Sequence, residues 1–203
     1  LPFVKASQVK HYFPDADIGS YDDAVRTILK NTDIDQKSRN ILVAHQFVAG
    51  KGADPALAGS ESIGTQSVGL VEKIGCDCFD AFDYVALGHI HSPQSVGRDA
   101  VRYAGSPLKY SLSEANNSKS VPLITVSAEE GIEIALLPLK PMRDMRHIKG
   151  PLKELLDKKN VTAPEDFIYA TLTDEDTLSD AMGIFQQVYP HTVRIDYDNS
   201  HTK

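Results

Sequence analysis

Hydrophobic positions in the first two thirds of this chain come in short blocks divided by charged and glycine-rich stretches: Ile41 to Ala44 and Tyr84 to Leu87 are unbroken, and Val101 to Ala104, Val121 to Val126 and Ile132 to Leu137 carry a few polar residues within them. Blocks of this length predict strands, and Tyr84 to Leu87 suits a sheet covered on both faces. Glu130-Gly131 lies between the last two blocks and predicts a hairpin. The stretch "SYDDAVRTILK" follows a different period. Ser20 is placed as an N-cap, Asp22 and Asp23 fall in the first turn, and Ala24, Val25, Ile28 and Leu29 share one helical face.

After Pro138 and Pro141, which mark a stiff linker, the pattern changes. "MRHIKG", "DFIYATLTD" and "TVRIDYD" read as strands, separated by helices in "PLKELLDKK", opening on Pro151, and in residues 176–189. The result is a small βαβαβ module. Its second helix sets Leu178, Ala181, Met182, Phe185 and Val188 at core spacing. Upstream, "AGKGADPALAGSESIGTQSVG" reads as a long loop, and Val68 to Ile74 as a short helix crossing between two strands. There is no repeat of solenoid length. The domains expected are 1–139 and 140–203, and the fold class is α/β.

Composition narrows the function classes only modestly. The chain has 203 residues, 41% of them hydrophobic and 24% charged, which is ordinary for a globular protein. No apolar run reaches the roughly 20 residues needed to span a bilayer, and no signal peptide is visible, so the expectation is a cytoplasmic protein with no membrane partner. The formal net charge of -7 excludes a protein that coats nucleic acid with its whole surface. Residues 140–159 nevertheless hold seven Lys and Arg against three acidic residues. That stretch is either a solvated helix face or a phosphate-facing patch. Cys76 and Cys78 are too close for an unstrained mutual disulfide and read as reduced structural thiols. The chain opens on Leu1 without a methionine, in "LPFVKASQVKHYF", which reads as the tail of a strand and suggests a piece of a longer protein.

The candidate chemistry lies at strand ends. The block Ile41 to Ala44 runs into His45, and "DYVALGHIHSPQ" runs into His89 and His91. In an extended chain residues i and i+2 lean the same way, so His89 and His91 would project together if the strand geometry continued past Gly88. Imidazole at the C-terminal edge of an α/β sheet suits a divalent metal, although a lone histidine there is more often an ordinary hydrogen-bonded group. His11, His147, His191 and His201 take that ordinary reading. Gly105-Ser106-Pro107 is a tight turn.

"VAHQF", "DYVALGHIHSPQ" and "VRYAGSPLKYSLSE", in that order, resemble the SbcD-type DNA nucleases within the calcineurin-like metallophosphoesterases. The resemblance covers most of the chain. It implies part of a two-sheet αββα sandwich followed by an α+β capping domain, with His45, His89 and His91 as ligands in a two-manganese centre. It also implies phosphodiester hydrolysis on DNA, an SbcC-like ATPase partner and a homodimer. Gly105, Ser106 and Pro107 would lie beside the phosphate pocket or form a plain turn, and Arg143, Arg146 and Lys149 would face DNA backbone. The family pattern further needs Asp-X-His, Gly-Asp-X-X-Asp and Gly-Asn-His-Asp motifs, and none of these occurs in the 203 residues. The expectation is therefore a C-terminal part that is inactive by itself, with a non-catalytic docking module as the competing class and a phosphomonoesterase as a weaker third.

Overall fold

The structure is a computed structural model and describes residues 1–50, 52, 54–57, 73–176 and 179–200. Two compact units are present, residues 1–107 with 118–139 and residues 108–117 with 140–203.

In the first unit helix α1 is Ala6–Tyr12 and α2 is Tyr21–Lys30. The strands are β1 Ile41–His45, β2 Val48–Ala49, β3 Ile74–Gly75, β4 Tyr84–Gly88, β5 Gln94–Val96, β6 Arg98–Tyr103, β7 Ser120–Ser127 and β8 Gly131–Pro138. The main sheet has the order β1-β4-β6-β5, with β1, β4 and β6 parallel and β5 antiparallel to β6. In register, Ala44 faces Leu87 and Val85 faces Val101, and these side chains enter a core with Tyr103, Phe79, Val48 and Val25. Each such large apolar side chain contributes about 1.5–3 kcal/mol on burial. The opposite face is thinner, for Ile41 and Val43 on β1 stay exposed.

Helix α2 starts as its sequence predicts. Ser20 Oγ accepts the Asp23 N–H at 3.0 Å, while the Asp23 carboxylate accepts the Ser20 N–H, also at 3.0 Å. Val25 and Leu29 pack into the sheet core, whereas Ala24 and Ile28 turn to a smaller cluster with Val9 and Ile18. The opening stretch differs from the strand tail expected. Only Leu1 pairs with β1, through Leu1 N to Val43 O and His45 N to Leu1 O, and the chain then turns into α1. The expected helix from Val68 lies outside the described residues except for its end, where Ile74 belongs to β3. β7 and β8 form the expected hairpin, registered from Ser120 opposite Pro138 to Ser127 opposite Gly131.

The second unit contains β9 Met145–Gly150, α3 Leu152–Leu155, β10 Phe167–Leu172, α4 Ala181–Gln186 and β11 Thr192–Tyr197. Its sheet is parallel throughout, with β10 central in the order β11-β10-β9, and Ile168, Ala170 and Leu172 pack against Phe185 and Tyr189. Both helices are shorter than the periodicity predicts. Pro151 has ψ 141 and stands before α3 as its cap, not inside it. Asp180 takes a left-handed conformation and caps α4, so the helix begins at Ala181; Leu178 lies outside the described residues. Among the described residues no helix is long and apolar enough to cross a membrane.

Candidate functional site

Parallel pairing of β1 with β4 brings their C-terminal ends together, and His45 falls opposite Gly88. The glycine is required by close approach: a Cβ there would lie 2.9 Å from His45 Nδ1. The next residue, His89, has φ 102, a left-handed backbone that a non-glycine residue holds only under constraint. The extended geometry therefore stops at Gly88, and the anticipated i, i+2 projection of His89 with His91 does not arise from a continued strand. Instead the turn directs the His89 ring toward His45. Their ring centroids are 5.3 Å apart at 81°, and Phe47 stands 6.1 Å from His89 at a similar angle. His45 is exposed; His89 and His91 are half-buried.

Groups behind the histidines hold this edge in place. The Tyr103 hydroxyl, fully buried, accepts the Val48 N–H at 2.6 Å and donates to the Gln46 carbonyl at 2.9 Å. Burial pushes its phenol pKa up to about 12, so it remains a neutral donor. Gln46 is also buried, and its Nε2 donates to Pro2 O at 2.7 Å while its Oε1 has no hydrogen-bond partner among the described residues. In the expected turn, Ser106 N–H donates to the His91 carbonyl at 3.1 Å. Gly105 has φ 79, and a Cβ there would meet His91 O at 2.8 Å, so only glycine fits. Gly105 and Ser106 are thus packed on the backbone of the histidine loop, while Pro107 is exposed.

The His45–His89 pair fits the nitrogen share of a divalent-metal site. Manganese favours oxygen donors, and no group of three or more His, Cys, Asp or Glu that could hold a metal occurs among the described residues. Asp83, the carboxylate nearest in sequence, sits at the opposite end of β4. It accepts the Asn40 N–H at 2.7 Å and pairs with Arg39 at 2.9 Å, which together hold its pKa below the ordinary aspartate value.

In the second unit the three cations singled out from sequence all have carboxylate neighbours. Arg146 Nε pairs with Asp166 at 2.7 Å, its Nη2 donates to Thr162 O and Ala163 O and its Nη1 to Thr162 Oγ1, so this guanidinium braces a loop. Arg143 lies 3.9 Å from Glu165 and Lys149 lies 2.5 Å from Asp198; both cations are exposed. Exposed pairs of this kind are weak and exchange readily with other anions. Sequence reasoning missed the open row His147, Tyr169 and Arg194, which are aligned across the three strands. His147 stacks on Tyr169 at 4.3 Å and its Nε2 bonds Thr171 Oγ1 at 2.8 Å. Tyr169 donates to Asp196, which Arg194 also holds, and the Arg194 bond is the main cause of the lowered Asp196 pKa. The alternation of "FIYATL" and "TVRIDY" was the available signal, since it sends Tyr169, Arg194 and Asp196 to one face.

His11 is exposed beside Tyr12, and His191 contacts Glu165 at 3.4 Å; His201 lies outside the described residues. Cys76 and Cys78 are free thiols, and burial raises the Cys78 pKa, which makes it a poor nucleophile or ligand.

Similarity to known proteins extends over both units. A family model described as the type 5 capsule protein repressor C-terminal domain, SbcD_C, matches residues 141–203. The D component of the nuclease SbcCD from Staphylococcus epidermidis (strain ATCC 12228 / FDA PCI 1200) is 31% identical over 198 residues, covering 96% of this chain and 51% of that protein. The chain thus spans about half the length of the curated relative it matches. The chain is thus similar to an SbcD-type protein along nearly all of its own length, and its closing module matches the SbcD_C domain.

Proposed function

We propose that this chain is the C-terminal part of a metal-dependent DNA phosphodiesterase that works with an SbcC-like ATPase on DNA ends and hairpins. The observation that carries the reading is the convergence of His45 and His89 at the C-terminal edge of the parallel strands β1 and β4, in a chain similar to a protein named as part of a nuclease. On this reading His45, His89 and His91 are the imidazole ligands of a manganese centre. Its oxygen ligands come from upstream residues, because the Asp-X-His, Gly-Asp-X-X-Asp and Gly-Asn-His-Asp motifs are absent here. The main sheet and the β7–β8 hairpin then belong to a two-sheet sandwich, residues 140–203 form its cap, and Arg143 and Lys149 approach the DNA backbone. Arg146 serves the cap mainly through Asp166. A homodimer in the cytoplasm completes the reading.

The test is manganese-dependent cleavage of a hairpin DNA by an upstream-extended protein, with this chain and His89→Ala in parallel. The reading expects cleavage by the extended protein alone and its loss in His89→Ala. Full cleavage by the extended His89→Ala variant would refute the ligand assignment. A second reading, a docking module without catalysis, is favoured by the missing third ligand among the described residues; it predicts no cleavage by the extended protein either.

A further inference from the structure

We infer that Lys119 is a positioning residue for the histidine-bearing loop, an assignment that rests on reading those histidines as ligands. Lys119 directly precedes β7, and its carbonyl accepts the Leu139 N–H at 2.9 Å, which anchors its backbone to the end of the hairpin ladder. Its side chain runs inward, leaving the residue only 6% exposed. Lysine is seldom buried, because its ammonium loses hydration and must recover it from well-placed acceptors. The acceptors here belong to the candidate site: Nζ donates to the His91 carbonyl at 2.9 Å and to Ser106 Oγ at 2.8 Å.

One ammonium therefore joins the loop that carries His89 and His91 to the Gly105-Ser106-Pro107 turn. Among the described residues the His91 carbonyl receives Lys119 Nζ and the Ser106 N–H, and the first is charge-assisted and so the stronger. Two residues upstream, His89 holds its left-handed φ of 102. Such a conformation persists only where surrounding contacts over-determine it. Lys119 supplies one of those contacts through its donors, and its aliphatic stem is buried with it. Removing the donors and keeping the stem separates the two contributions.

The experiment compares wild type with Lys119→Met, Lys119→Arg and Ser106→Ala. Imidazole proton–nitrogen correlation spectra are recorded on the metal-free chain, with His147 in the second unit as an internal control. Paramagnetic broadening of the His45 and His89 rings by manganese is then followed in the upstream-extended protein. Lys119→Met is expected to move the His89 and His91 ring signals and leave His147 in place, and to weaken manganese binding about 10- to 100-fold, as loss of a residue that orients ligands does. Lys119→Arg should recover part of both effects, and Ser106→Ala should give a smaller shift confined to the same rings. Unchanged His89 and His91 signals in Lys119→Met, beside normal manganese broadening in wild type, would overturn the inference alone. Should Lys119→Met fail to fold, Ser106→Ala decides, and unchanged ring signals there overturn it equally. No manganese broadening in the wild-type extended protein would overturn the ligand reading, and with it the positioning role.

Discussion

The hydroxyl of Tyr103 lies 2.6 Å from the backbone nitrogen of Val48 and closes a bridge between the end of β6 and the segment that follows His45. The bond is buried, and the same hydroxyl donates to Gln46 O, so the path of the chain leaving His45 is set from beneath by one phenol. Tyr103→Phe keeps the ring in the core and strands the Val48 N–H. An unsatisfied buried donor costs about 1–3 kcal/mol, and urea denaturation should show a loss of that size. A loss within error would mean that water or a rearranged backbone satisfies Val48.

Two glycines with positive φ separate backbone strain from steric overlap. Gly131 at the hairpin turn has φ 81 and open space where a Cβ would stand, its nearest neighbour being Arg39 at 3.9 Å. Gly131→Ala should cost only the left-handed penalty of about 1–2 kcal/mol. Gly105 has a nearly equal φ, 79, but its Cβ would also strike His91 O and Pro93. Thermal unfolding should therefore rank Gly105→Ala well below Gly131→Ala, and equal melting temperatures would show that the turn is not pressed on the histidine loop.

Acid sensitivity follows from four aspartates whose pKa values are lowered in the fold: Asp23 by the Ser20 hydroxyl, Asp35 by the Ser38 hydroxyl, Asp83 by the Asn40 N–H, and Asp196 by Arg194. A depressed carboxylate stabilises the fold above its unfolded pKa, and that contribution is lost as pH falls through the folded value. Stability from these groups should be flat near neutrality and decline below the ordinary aspartate value of 3.8. Asp83→Asn should flatten part of that decline in urea midpoints measured across acidic pH. An unchanged slope would show that Asp83 titrates alike folded and unfolded.

Legibility in the sequence followed how local the cause was. The start of α2 is written in Ser20 and Asp23, which satisfy each other's backbone donors within one turn. The β7–β8 hairpin was legible from two apolar blocks about the Glu130-Gly131 turn, although Val121, Leu123, Leu136 and Leu137 stay exposed, and in the second unit Ile168, Ala170 and Leu172 of β10 are buried while Phe167 and Val193 are not. Helix α1 carried little signal, because it buries only Val9 and is preceded at its N-cap by Lys5, whose N–H is held by Gln8. The candidate site was half legible. Its histidines mark strand ends, but their pairing depends on the left-handed turn at His89 and on Gly88 yielding space to His45, neither of which alternation can express. Lys119 was hidden for another reason: in "NNSKSV" it reads as one more polar loop residue, and only the folded hairpin turns it inward.

The most direct test of the account is a calorimetric titration of manganese into this chain and into an upstream-extended protein, each with and without His89→Ala. The account predicts tight binding only in the extended protein, lost on His89→Ala, and weak binding at best in the chain itself. Submicromolar binding by the chain, abolished by His89→Ala, would contradict the claim that these residues hold only the imidazole share of the site.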